Sequence, residues 1–337
     1  MLRRMTTAMI VVLVVGVPLI GALYFFDQYR DPGPTLDQRT IAAAEALVRR
    51  QPNLVSARIA LADAYARAGR PRDAVTQYGE VLREQPTHVA ALLGRAAAYE
   101  QLGDLDAAAK DYQAEVDAAG NGEMARVDPQ LEAAYYGLGA IALKRGDAAQ
   151  AAVLLDKALA IQPTDADALY LFASARLALG DARSAIEPLR DAVALVPTGW
   201  REPYDALSQA YAKQGDAAGS RYATAMSAFC AGHPDEARTT LESLVSGPHA
   251  ADALLGLGLI AEQSGDGEAA ATYYARVLDV DPGNFNAVSG MGRVMDATAS
   301  AAQTASPAAP SVAWPEPAAS DPRTPVVTPR PSASPGA

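Results

Sequence analysis

Apolar and polar positions alternate with helical period along most of this 337-residue chain. Between Pro52 and Pro86 one apolar set falls at Ile59, Leu61, Ala62 and Tyr65. A break follows at Gly69-Arg70-Pro71, and a second set falls at Ala74, Tyr78, Val81 and Leu82. The pattern predicts two antiparallel amphipathic helices joined by a short turn. Gly69 can take the left-handed conformation that closes the first helix, and the proline after the second helix cannot continue it.

The same punctuation returns down the chain. Pro52 and Pro86, Pro163 and Pro197, and Pro248 and Pro282 are each separated by 34 residues. The next unit carries Leu92, Ala96, Tyr99, Gly103-Asp104, Ala108 and Tyr112, and the unit ending at Pro163 carries Tyr135, Leu138-Gly139, Gly146-Asp147, Ala151, Leu155 and Ala158. The unit ending at Pro197 carries Leu169, Phe172-Ala173, Gly180-Asp181, Ala185, Leu189 and Ala192. The unit ending at Pro282 carries Leu254, Leu257-Gly258, Gly265-Asp266, Ala270, Tyr274 and Val277. Asp in these turns suits a helix N-cap; the run of alternating ligands that a calcium loop needs is missing.

Period and residue types together resemble the tetratricopeptide repeat. The resemblance covers about Asp37 to Ala297. It implies an all-α fold, a right-handed α-solenoid of stacked antiparallel helix pairs, assigned to residues 37–299. Two stretches depart from the register. After Asp117 there are about nine residues more than the period allows, so either a helix is extended or a loop protrudes before Leu131. Between Trp200 and Pro248, Tyr204, Leu207, Tyr211 and Gly215-Asp216 fit a first helix. The helix from about Ala218 to Ala231 has atypical key positions, and Gly232-His233-Pro234 opens another over Asp235 to Val245. A lone second helix precedes Pro52 and a lone first helix runs from Phe285 to about Ala299, ends that suit caps.

The resemblance also implies that the first helix of each unit lines a concave surface. Carried onto this chain, it makes Leu93, Tyr136, Leu143, Lys144, Tyr170, Ser174 and Leu177 the candidate peptide-binding groove, with an apolar middle. Such a groove suits an extended peptide or an amphipathic helix of a protein partner. The competing use of Leu93, Leu143 and Leu177 is packing between units.

The two ends differ from the repeats. Residues 6–26 carry no charge over a length that spans a bilayer core of roughly 30 Å. Arg3 and Arg4 precede them, which places residues 1–5 in the cytoplasm and the repeats outside it, in a bacterial-type envelope. The segment exceeds the apolar region of a cleaved signal peptide and Ile20-Gly21-Ala22 is a poor cleavage site, so a single-pass anchor followed by a linker at 27–36 is expected. Residues 300–337 are rich in Ala, Pro, Ser and Thr and have too little apolar mass to order, so a disordered tail is expected. Trp314 is an isolated large apolar side chain within it.

Composition narrows function further. A formal net charge of −11 with scattered lysines argues against nucleic acid as a partner. The single cysteine, Cys230, excludes an internal disulfide. His88, His233 and His249 read as loop residues without metal-ligand spacing. No phosphate loop, nucleophile elbow or His-Glu-x-x-His pattern occurs, so no catalytic, cofactor or metal site is expected. The expectation is a membrane-tethered scaffold that binds a protein or peptide outside the cytoplasm and helps assemble an envelope complex. The alternative is a recruiting or regulatory module for a separate enzyme, including a cytochrome c maturation-type role.

Overall fold

The computed structural model describes residues 35–305. They form fifteen α-helices in chain order and, among the described residues, no strand. These are α1 (Leu36–Arg50), α2 (Val55–Arg67), α3 (Pro71–Glu84), α4 (Val89–Leu102), α5 (Leu105–Ala119), α6 (Pro129–Lys144), α7 (Ala148–Ile161) and α8 (Ala166–Ala178). They continue as α9 (Ala182–Leu195), α10 (Glu202–Lys213), α11 (Ala217–Cys230), α12 (Pro234–Glu242), α13 (Ala250–Gln263), α14 (Gly267–Val280) and α15 (Phe285–Ala305).

Local chemistry sets the boundaries. The turn glycines Gly69, Gly103, Gly146, Gly180, Gly215 and Gly265 all have positive φ, the conformation that lets the chain leave one helix and enter the next in two or three residues. Asp104, Asp147, Asp181, Asp216 and Asp266 follow five of them, and each side chain accepts a backbone N–H three residues on, as the N-cap reading predicts. Thr35 and Gln38 form a reciprocal capping box that starts α1, so helix replaces the end of the expected linker at Leu36.

Each helix packs on its successor, and first helices of neighbouring units also touch directly: α2 on α4, α4 on α6, α6 on α8 and α8 on α10. First helices therefore line the inner side of the stack. The buried apolar core is continuous through shared helices, one cluster handing over to the next at α4, α8 and α13. That is the nearest-neighbour arrangement of a solenoid, in which no unit buries its apolar face alone. The stack also curls on itself: Asn286 Nδ2 at the start of α15 donates to the carbonyl of Ala194 in α9 at 2.9 Å.

The irregular stretches now have shapes. The extra residues after Asp117 form a loop with a short 3-10 turn at Ala125–Val127, and α5 ends on schedule at Ala119, which settles the choice left open by the sequence. In the second stretch α11 packs against α10, α12 and α13 together. It serves as second helix to α10 and first helix to α12, and this three-sided burial explains its atypical residues: Gly219, Ala223 and Ala225 admit close neighbours. The helix after Gly232 runs Pro234–Glu242, shorter than the expected Asp235 to Val245. Helix α15 continues to Ala305, past the expected boundary at residue 299, because Ser300 to Ala305 is Ala-rich and the first helix-breaking proline is Pro307. Among the described residues no helix is long and apolar enough to cross a membrane; the candidate anchor at 6–26 and the tail beyond residue 305 lie outside the described residues.

Candidate functional site

Helices α8 and α10 are successive first helices, and an open hollow of about 570 Å³ lies between them. Tyr170, Ser174, Leu177 and Ala178 line it from α8, and Glu202, Asp205, Ala206 and Gln209 from α10. Three of the seven groove residues expected from sequence meet here. Tyr170 is half-buried, and its ring sits edge-on to Trp200 with centroids 5.3 Å apart. Leu177 is mostly committed to the core and shows the hollow only its rim. The Ser174 hydroxyl donates to the Tyr170 carbonyl at 2.8 Å, which leaves its lone pairs for a ligand.

The other four are placed differently. Leu93, Tyr136 and Leu143 are half-buried and pack against the core between α4 and α8, so packing between units is their main role. Burial, followed by the charges of Asp167, Asp165, Glu100 and Glu132, pushes the Tyr136 hydroxyl up to about 12. Lys144 is exposed, yet its Nζ is held 2.7 Å from Glu100 Oε2 on α4, so the charge is already matched within the stack.

The hollow is negative. The Asp205 carboxylate takes the Ser227 hydroxyl at 2.5 Å and lies 3.0 Å from Arg201, while among the described residues no ion pair engages Glu202. No basic side chain lines the hollow itself. Trp200 was not singled out from sequence. It stands in the connector before α10, after the positive-φ Gly199, and helical periodicity says nothing about connectors.

A second hollow of about 610 Å³ lies between the α9–α10 connector, the C-terminal ends of α11 and α13 and the middle of α15, lined by Phe229, Cys230, Leu259, Glu262 and Arg293 among others. Burial pushes the Cys230 thiol up, against the pull of the Gly199 and Trp200 backbone N–H groups, so it is less of a nucleophile than a free thiol. Glu262 and Arg293 pair there through two hydrogen bonds of 2.6 and 2.9 Å.

His249 departs from the loop-residue reading. It occupies the N-cap position of α13, but its imidazole is buried between two carboxylates, with Nε2 2.8 Å from Asp216 and Nδ1 3.1 Å from Asp252. The other two histidines do stand at helix starts, His88 accepting the Ala91 N–H and His233 preceding Pro234. Among the described residues there is no group of three or more His, Cys, Asp or Glu placed to hold a metal ion.

Solved structures resemble this chain at low sequence identity. The APC/C hetero-tetramer Cut9-Hcn1 shares 18% identity at a TM-score of 0.44 over 77% of this chain; the chain spans less than half, 46%, of that one. A tetratricopeptide repeat protein from Parabacteroides merdae shares 17% identity at a TM-score of 0.44, covering 82% of this chain and 98% of that one. PilW, a type IV pilus biogenesis factor, shares 20% identity at a TM-score of 0.43, covering 70% of this chain and 98% of that one. No curated protein matches the chain in sequence. One family model, described as tetratricopeptide repeat, matches residues 59–123 and 222–285, and a second of the same description matches 142–202. Together they span more than half of the sequence, and the chain belongs to the tetratricopeptide repeat family.

Proposed function

We propose that this protein is a tethered scaffold that holds an extended segment of a protein partner in the hollow between α8 and α10. The observation that carries the reading is the composition of that hollow: Tyr170 and Ala178 offer apolar surface, and Glu202 beside it is a carboxylate that no ion pair engages among the described residues, whereas Asp205 is already paired with Arg201. A segment with a basic side chain next to an apolar one satisfies both, the apolar group against the Tyr170 ring and the cation against Glu202. The repeat family supports protein binding as the general role. The uncharged stretch at 6–26 supports anchoring, with the repeats outside the cytoplasm and an envelope assembly as the setting. A tether of this kind raises the effective concentration of the hollow near membrane-bound partners.

Photo-crosslinking in intact membranes tests this. A crosslinker at Ala178 should capture one protein, and Glu202→Lys should abolish the capture. Equal capture from Val153, exposed on the second helix α7, would show that the hollow is not the binding face.

A further inference from the structure

The last helix of the stack is a first helix with no second helix after it in the described residues. Position by position, 34 residues on, Val288 of α15 corresponds to Leu254 of α13, Gly292 to Gly258 and Met295 to Ala261. In α13 these positions are covered by its partner α14: Leu254 and Ala261 are 4% and 5% exposed. A methyl placed on Gly258 would lie 2.5 Å from the Tyr274 ring, so the glycine is a notch that an aromatic knob fills. In α15 no described residue covers the same face. Val288 and Met295 are 52% and 63% exposed, Phe285 on the same stripe is 77% exposed, and a methyl on Gly292 would meet nothing within 4 Å.

We infer that the chain covers this face with its own tail, Trp314 taking the Gly292 notch that Tyr274 takes at Gly258. Three facts carry this. The described chain stops at Ala305, and Trp314, nine residues on, is the one aromatic residue beyond it. Nine extended residues reach about 30 Å at roughly 3.3 Å each, and the way back from Ala305 to Gly292 is about 20 Å at 1.5 Å per helical residue. Pro310 and Pro315 bound the tryptophan, and the four residues from Ser311 to Trp314 are too few to supply a second helix, so an inserted ring on an extended backbone is the cover available to it. Being intramolecular, the contact needs little intrinsic affinity to be occupied.

The competing occupant is a second copy. The lone second helix α1 exposes Leu47, which corresponds to the buried Val81 of α3, and α1 could complete α15 of a neighbouring chain head to tail. The test uses the purified full chain with Trp200→Phe, which leaves Trp314 as its only tryptophan. The expected result is Trp314 emission at shorter wavelength than free tryptophan amide and reduced acrylamide quenching, both unchanged across protein dilution. Met295→Asp and Val288→Asp should each move emission and quenching towards the free values while helical circular dichroism is retained, because both residues are surface-exposed. Free-like emission in the parent chain, or protection that grows with protein concentration and so reports a second copy, would overturn the inference.

Discussion

Tyr112 of α5 donates its hydroxyl to Glu100 of α4 at 2.9 Å, and its ring fills the space over Gly137 of α6, joining two units through one side chain. The arrangement recurs. Tyr274 donates to Glu262 at 2.6 Å and packs over Gly290, and Tyr78 donates to Asp63 and packs over Gly94. The third and fourth units lack it: in the same register Leu155 stands with Leu143 and Leu171, and Leu189 with Leu177 and Asp205. The apolar middle of the groove is thus the stretch where tyrosine, carboxylate and glycine have been replaced together.

Gly137→Ala should therefore be costly although alanine favours helix. The added methyl would lie 2.5 Å from the Tyr112 ring, and overpacking of this kind costs about 1–3 kcal/mol. Tyr112→Leu in the same chain should recover part of the loss, and a double-mutant cycle by denaturant unfolding measures the coupling. Additive losses would show that ring and notch do not communicate.

Tyr136 and Tyr170 should separate under mutation. Tyr170→Ala opens the hollow, and because its ring also rests on the core edge and on Trp200, partner binding should fall about tenfold or more beside a modest drop in the melting midpoint. Tyr136→Ala removes a ring packed between units and should lower the melting midpoint first. Calorimetry beside a crosslinking titration checks both, and parallel losses at the two sites would refute the division.

Legibility in the sequence followed distance along the chain. Helices, turns and caps were readable because a left-handed Gly103 and an N-capping Asp104 act on residues three or four away. Tyr170, Ser174 and Leu177 were readable because the repeat register carries the inner face with it. Trp200 against Tyr170 and His249 against Asp216 are pairings across about thirty residues through irregular connectors, where no period applies. The double use of α11 was legible only as a slip, since the helix that breaks the register is the one packed on three sides.

Two buried carboxylates oppose folding at neutral pH. Glu115 is fully buried with neither oxygen hydrogen-bonded, and Glu132 has one buried oxygen without a partner. Burial, then the neighbouring charge of Asp165, pushes Glu132 up to about 7. Its folded-state value lies above the unfolded one, so its favourable contribution is complete below about pH 4.5 and is lost as pH rises towards 7. Glu132→Gln should stabilise the protein by on the order of 1 kcal/mol at pH 8 and by little at pH 4. Urea unfolding at the two pH values decides it; a variant that destabilises at pH 8 would mean the carboxylate is matched by a group it meets in solution.

His249 should give the opposite sign of mutational effect from the same kind of shift. Burial works against its charged form, but the hydrogen bonds it donates to Asp216 and Asp252 outweigh it and raise the imidazole above its ordinary value. Arg190 faces Asp252 at 3.5 Å, and the Tyr211 and Tyr222 rings close the remaining sides, so the cluster holds two carboxylates against two cations. Asp216 is in turn held low, first by the Gly219 backbone N–H and then by the histidine. With the folded-state value raised, the stabilisation from His249 is fully present below about pH 6.5 and fades as pH climbs through that raised value. His249→Gln should cost about 2 kcal/mol at pH 6, since it leaves two half-buried carboxylates short of a cation, and distinctly less at pH 9. Denaturant unfolding of both proteins at the two pH values reads the difference directly. An equal loss at pH 6 and pH 9 would mean that a neutral ring tethers α13 to the α10–α11 turn, and the charged clamp would have to be given up.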